Sequence, residues 1–257
     1  MEDFHYAGGL PALMNVIRAQ LSLDEITVTG GALRAQLEGR GVLDDQVILA
    51  PDHPVSPRPA LAVLRGNLAP EGAVIKPSAA SPELMRHRGR AIVFDSPPEM
   101  NAALSDPAFD CDETSVIVLR NAGPVGGPGM PEWGNLPIPR KLLQRGVRDL
   151  VRISDARMSG THYGTCVLHV SPESAVGGPL ALVRNGDTIE LDVEARALNL
   201  LVDDAELARR RAAWSAPAQP YARGYTRLYQ QHVTQAHEGC DFDFLAGTAP
   251  TPEPAIY

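Results

Sequence analysis

Short apolar runs dominate the middle of this chain, at residues 61–64, 73–75, 91–94, 116–119, 150–153, 166–170, 180–183 and 189–193. Each is three to five residues long and bounded by Gly, Pro or Asn, which is the spacing of β-strands rather than helices. Asn185-Gly186-Asp187 between the last two runs reads as a turn, with Gly186 supplying a positive φ. Helical patterns are expected over 98–104, 139–145, 205–214 and from 226 to about 237. Many short strands with few helices predict a closed or nearly closed sheet.

The first 50 residues differ. Pro11 stands at a helix start, with Leu13, Val16, Ile17 and Leu21 on one face, and a second short helix after Thr29 carries Leu33 and Leu37. Two such pieces carry too little apolar surface to be stable alone, so they are expected to be the end of something larger. Four prolines in PDHPVSPRP then mark a linker. The expected organisation is a helical piece at 1–50, the linker at 51–59, a β-rich domain at 60–215, and a C-terminal helix with an extended proline-rich tail at 216–257.

Composition narrows the function classes. Among 257 residues, 31 Asp and Glu against 23 Lys and Arg leave a net charge of -8, which argues against nucleic acid or an anionic membrane as partner. No apolar run reaches the length of a membrane span, and the first residues lack a signal-peptide pattern, so the cytoplasm is the expected compartment. Cys111, Cys166 and Cys240 are too widely spaced for a zinc ribbon or a disulfide framework, and are expected to be incidental thiols rather than cluster ligands. His53 in the linker is assigned no role, and the Arg209-Arg210-Arg211 run is expected on an exposed helix face.

Candidate chemistry gathers between residues 123 and 165. Gly126, Gly127 and Gly129 form a loop whose amides can face an anion, and Glu132 follows directly. Ser159 comes just after the 150–153 run, where a strand should end and where ligands meet α/β sheets. Neither a phosphate-loop pattern nor G-x-G-x-x-G after a strand is present.

Four blocks then occur in order: GNLAPEGAVIKPSAA (66–80), GPVGGPGMPEWG (123–134), ISDARMSGTHYGT (153–165) and HVSPESAVGGPLALVRNGDTIELDV (169–193). Together they resemble the C-terminal half of the dihydroxy-acid and sugar-acid dehydratases, the IlvD/Edd family. The runs GMPEWGNLPIP and ISDARMSGTHYGT resemble its pentonate branch, such as L-arabinonate dehydratase, more than the branched-chain amino-acid branch.

The resemblance implies an α/β fold, a β-barrel-like swivelling β/β/α domain flanked by helices, with residues 1–50 as a helical remnant of an N-terminal α/β domain. It implies removal of water from a sugar acid to give a 2-keto-3-deoxy acid, with Mg²⁺ and an iron-sulfur cluster (2Fe-2S) as cofactors. Glu132 would correspond to a Mg²⁺ ligand, Ser159 to the base that takes the C2 proton, and Thr161 to a substrate hydrogen-bond partner. A serine is a weak base and needs a nearby cation and N–H donors to become an alkoxide. Arg157 could hold the substrate carboxylate or form an ion pair with Asp155; the roles of Asp155, His162, Tyr163 and His169 stay open. The cluster cysteines and remaining Mg²⁺ ligands are expected in an N-terminal dehydratase domain, so this chain alone is expected to be inactive; the alternatives are a dihydroxy-acid dehydratase of branched-chain amino-acid synthesis and a non-catalytic sugar-acid-binding module. Family resemblance further implies a homo-oligomer.

Overall fold

The computed structural model describes residues 1–57, 59–160 and 163–245. By its internal contacts the chain divides into two compact units, residues 1–58 and 59–257.

The first unit contains α1 (Glu2–Tyr6), α2 (Gly9–Val16) and α3 (Leu33–Leu37). Pro11 lies in the first turn of α2, where its missing N–H costs nothing. Ala7, Ala12 and Ile48 form a small core with Phe4, Leu13 and Val16 against it. Leu21, expected on the helical face, is extended.

The second unit is built on one eight-stranded mixed sheet of β1 (Ala62–Leu64), β2 (Gly72–Ile75), β3 (Arg86–Phe94), β4 (Val116–Leu119), β5 (Arg152–Ser154), β6 (Cys166–Ser171), β7 (Thr188–Asp192) and β8 (Ala197–Leu200). Their order is β1-β2-β6-β5-β4-β3-β7-β8. The sheet curls until its outer strands meet: Arg65, just past β1, bridges Ala197 of β8, its N–H donating to the Arg196 carbonyl at 2.8 Å. The result is a nearly closed barrel, in keeping with the α/β, barrel-like fold expected.

Strands β3, β4, β5 and β6 run parallel, while the remaining pairs are antiparallel. Parallel neighbours need crossovers, and these supply the outer layer. Val116 and Val118 of β4 point into the barrel core with Leu64, Ile75 and Ile153. Ile117 and Leu119 point outward, under Met100 and Leu104 of α4 (Pro97–Ser105) and Leu142 of α5 (Arg140–Gln144). Each such fully buried aliphatic side chain stabilises the fold by about 1.5–3 kcal/mol. Helices α6 (Asp204–Ala213) and α7 (Tyr225–His232) complete the unit.

Three expectations are corrected. Residues 180–183 are not a strand: Pro179 opens a 3-10 turn over Pro179–Leu182. Its carbonyls are met by arginine side chains rather than by a ladder, Arg120 donating to Ala181 and Val183 and Arg210 to Leu182. Strand β8 is an additional element; the turn leading into it places a non-glycine residue, Arg196, at φ 58° and so lacks the usual glycine signal. Within the 209–211 run Arg210 is buried, clamped by Asp187 and by Glu206 at 2.6 Å, whereas Arg209 is exposed. Gly186 does have a positive φ, 90°, in the turn before β7. The proline-rich tail at 246–257, expected to lie extended, lies outside the described residues.

β3 is longer than its apolar run because residues 86–90 pair with β7 while 91–94 pair with β4. At the changeover Gly89 passes so close to the Thr114 carbonyl that a Cβ would come to 2.0 Å from it. Gly89→Ala should therefore lower stability by about 2 kcal/mol or more, through forced displacement of backbone. Urea unfolding of the variant beside the parent measures this; equal midpoints would contradict the stated crowding.

Candidate functional site

The four parallel strands end on one edge of the sheet, and their following segments carry the site. After β4 comes the glycine-rich loop, after β5 the turn leading to Ser159, and after β6 Glu173. Ligands meet α/β sheets at this carboxyl edge.

Buried carboxylates of two segments fasten the loop of the third. Asp155, fully buried, accepts from the Ala122 N–H at 2.9 Å and from the Ser174 N–H and hydroxyl. Glu173, 1% exposed, accepts from the N–H groups of Val125 and Gly126 at 2.8 and 2.9 Å and from the Gln235 amide at 2.8 Å. The Gly127 N–H donates to the Gly123 carbonyl. The amides of Gly126 and Gly127 are thus used to fix the loop, not presented to a ligand as their sequence suggested. Asp155 also forms no ion pair with Arg157, because burial beside Ser174 and Ala122 places it beneath the loop.

Burial raises the pKa of Glu173, and the nearby Asp155 raises it further, against the donors from Gly126, Val125 and Gln235; burial likewise raises that of Asp155. A raised folded-state value means that Glu173's contribution to stability is whole below its ordinary value of 4.5 and is lost as pH rises through the raised value. The unfolding free energy of the parent relative to Glu173→Gln should accordingly decline from about pH 4.5 upward, the variant lacking this part of the slope. Denaturant melts across that range test it, and an unchanged slope in the variant would sink the assignment.

The fixed loop delivers Glu132 and the β5 segment delivers Ser159 to one cavity of about 450 Å³, which Arg152, Asn135 and Tyr163 also line. The Glu132 side chain is half exposed, 50%, and its carboxylate stands 3.9 Å from Arg157. Arg157 Nε donates to the Met130 carbonyl at 2.6 Å, so this arginine braces the loop while part of its guanidinium stays open. Tyr163 is exposed; Thr161 and His162 lie outside the described residues.

Ser159 also lines a second cavity, of about 540 Å³, with Lys76, His169, Ser171 and His237. His169 Nε2 accepts from the Met158 N–H at 2.8 Å, which puts the ring proton on Nδ1. Burial, together with the Arg157 charge, lowers its pKa and keeps it neutral. Lys76 and Glu173 are among the residues of this site that the sequence did not single out, although both lie within the family-like blocks.

A divalent cation can use Glu132 as one hard oxygen donor, because that carboxylate faces an open cavity. Among the described residues, no group of three or more His, Cys, Asp or Glu is placed to hold a metal ion. Cys111 and Cys166 are buried and Cys240 is half-buried, and burial pushes the Cys166 thiol up to about 12. No helix among the described residues is long and apolar enough to cross a membrane.

Residues 46–240 match the family described as dihydroxy-acid/6-phosphogluconate dehydratase, C-terminal. The chain is 57% identical over its whole length to a 6-deoxy-6-sulfo-D-gluconate dehydratase of Pseudomonas putida, covering 45% of that protein. Over 96% of its length it is 53% identical to an L-arabonate dehydratase of Azospirillum brasilense, covering 44%. A dihydroxy-acid dehydratase of Acetivibrio thermocellus is 40% identical over 93% of the chain, which covers 43% of it. The chain therefore spans a little under half the length of the curated relatives it matches.

Proposed function

Since this chain belongs to the dihydroxy-acid/6-phosphogluconate dehydratase family, through that family's C-terminal domain, we propose that it supplies the C-terminal part of a hydro-lyase. The substrate is a sugar acid, a pentonate such as L-arabinonate, and the product its 2-keto-3-deoxy acid. The observation that carries this reading is the meeting of Ser159 and Glu132 on one cavity.

The chemistry sets the roles. A proton α to a carboxylate is weakly acidic, so a base must stand at C2 and the carboxylate must be held against cationic or Lewis-acid groups. Ser159 takes the C2 proton. The C3–oxygen bond breaks with its electron pair leaving on hydroxide, and the enol gains a proton at C3 as its C2 hydroxyl gives one up, to become the 2-keto acid. Proton and hydroxide together make the water released. The open part of the Arg157 guanidinium offers the substrate carboxylate a fork, and Thr161 a hydroxyl partner. Mg²⁺ on Glu132, completed by ligands from elsewhere, would supply Lewis-acid stabilisation of that carboxylate. The iron-sulfur cluster would be held outside this chain, in an N-terminal dehydratase domain. A cytoplasmic homo-oligomer without nucleic acid or membrane partners belongs to the same reading.

Sugar-acid dehydratases of 57% and 53% identity against 40% for a dihydroxy-acid dehydratase favour a polyhydroxylated acid. The name of the first relative keeps a six-carbon sulfonated aldonate as the second reading.

The test is a hybrid in which this chain replaces the matching C-terminal part of the Pseudomonas putida relative. With Mg²⁺ and reconstituted cluster it should convert a sugar acid to a 2-keto acid, while the 257-residue chain alone should not. A hybrid with intact cluster absorbance but no keto acid from pentonates, the sulfonated hexonate or a dihydroxy acid would overturn the reading. Turnover by the chain alone would overturn the division of labour.

A further inference from the structure

Ser159 sits in a turn whose ends are tied to different parts of the sheet. Before it, the Met158 N–H is held by His169 of β6. After it, the Gly164 N–H donates to the Ala79 carbonyl at 2.9 Å, and the Tyr163 carbonyl accepts from Arg152 at 3.1 Å. These contacts fix the flanks. At the serine itself Lys76 makes contact, its Nζ donating to the carbonyls of Ser159 at 2.5 Å and Gly160 at 2.9 Å.

Lys76 is well placed to act as a fixed post. It directly follows β2, which is hydrogen-bonded on both sides, to β1 and to β6, and Pro77 stiffens the chain after it. Its backbone is therefore set by the sheet, and its ammonium reaches across to two successive carbonyls. A lysine suits that task, since three rotatable donors on a compact charge can serve two converging oxygens, whereas a planar guanidinium fork favours a flat bidentate partner. Only two of the 23 basic residues of this chain, Lys76 and Lys141, are lysines, so the choice at this position runs against the chain's own preference for arginine. Lys76 also lines the larger cavity together with Met158, Ser159 and Gly160.

The geometry points to Lys76 as the positioning residue for Ser159: by gripping the carbonyls of residues 159 and 160 it sets where the serine stands relative to the substrate's C2. This role rests on the dehydratase reading above. It is expressed in the chemical step rather than in substrate affinity, because a base displaced by about 1 Å can cost on the order of 100-fold in rate while the binding groups stay in place.

Two measurements test it. In the 257-residue chain, amide hydrogen exchange at Ser159 and Gly160 should quicken by about tenfold or more in Lys76→Met and by less in Lys76→Arg, with thermal unfolding little changed. Should Lys76→Met unfold, Lys76→Gln replaces it. In the hybrid enzyme, Lys76→Met should lower kcat by about 100-fold with KM nearly constant, and Lys76→Arg, which keeps the charge but not the compact three-donor geometry, should recover only part of the loss. Unchanged exchange at residues 159 and 160 would show that the clamp does not operate. Faster exchange with unchanged kcat would show that it operates without positioning a base, and either result overturns the proposal. A hybrid already inactive with Lys76 in place sinks the dehydratase reading and this role with it, whereas a loss confined to the variants speaks to Lys76 alone.

Discussion

Ser159→Ala in the hybrid enzyme should lower kcat by between about 10²-fold and 10⁴-fold, the range expected when a positioned proton acceptor is removed. Exchange of the substrate's C2 proton with solvent should disappear with it, since that exchange reports the first proton transfer alone. The turn should survive, because the groups that fix it act on backbone: Lys76 on the carbonyls of residues 159 and 160, and His169 on the Met158 N–H. Cluster absorbance should also be unchanged, as none of its ligands is expected from this chain. Proton exchange followed by NMR in deuterated buffer, beside the visible spectrum, separates these effects. Continued C2 exchange in the variant would mean that another group is the base.

The largest expected loss of stability comes from Asp149→Ala. Asp149 and Arg152 form a buried pair at 3.1 Å, with side chains 3% and 5% exposed. The carboxylate also accepts from the N–H groups of Ser81 and Leu150 and from the Thr165 N–H and hydroxyl. Arg152 in turn donates to the carbonyls of Leu136, Leu150 and Tyr163. Truncating Asp149 leaves a buried guanidinium without its counter-charge and several donors unmet, a loss of about 3–5 kcal/mol. For a domain of this size that corresponds to a fall in Tm on the order of 10 °C, readable by calorimetry. Burial opposes the charge of Asp149, but the donors from Thr165, Ser81 and Leu150 outweigh it and lower its pKa below 3.8. Its contribution is therefore present above that ordinary value and lost as pH falls through the depressed one, so parent and Asp149→Asn should converge only in strong acid. A Tm difference of a degree or two at neutral pH would contradict the network's importance.

How far the sequence revealed the molecule follows from where each residue's partners lie. β4 was legible because both its faces are buried, which gives an unbroken apolar run. Only the end of β3 was, since its first half carries Arg86, Arg88 and Arg90 outward to Asp192, Glu190 and Asp110 and looks polar. The 180–183 run misled because apolar content says nothing of whether its carbonyls meet a strand or, as here, arginine side chains. Glu132 and Ser159 were singled out by their place beside glycine-rich turns, and long family-like blocks suggested their roles. Lys76 and Glu173 sit in such blocks too, yet a single Lys or Glu has no local pattern. Their partners lie 83 residues away for Lys76 and Ser159, and 47 and 48 residues away for Glu173 and the loop amides.

That last separation has a consequence for how the protein is made. The glycine-rich loop leaves the ribosome nearly 50 residues before the carboxylate that fastens it. At about 5–20 residues per second the loop waits roughly 2–10 s for Glu173, and longer for Gln235, which binds the same carboxylate. During synthesis the barrel's earlier strands can gather while the bed for Glu132 is still unformed. The segment that shapes the candidate site is thus among the last to be set, and a nascent chain stalled before residue 173 would carry the glycines without their fastening.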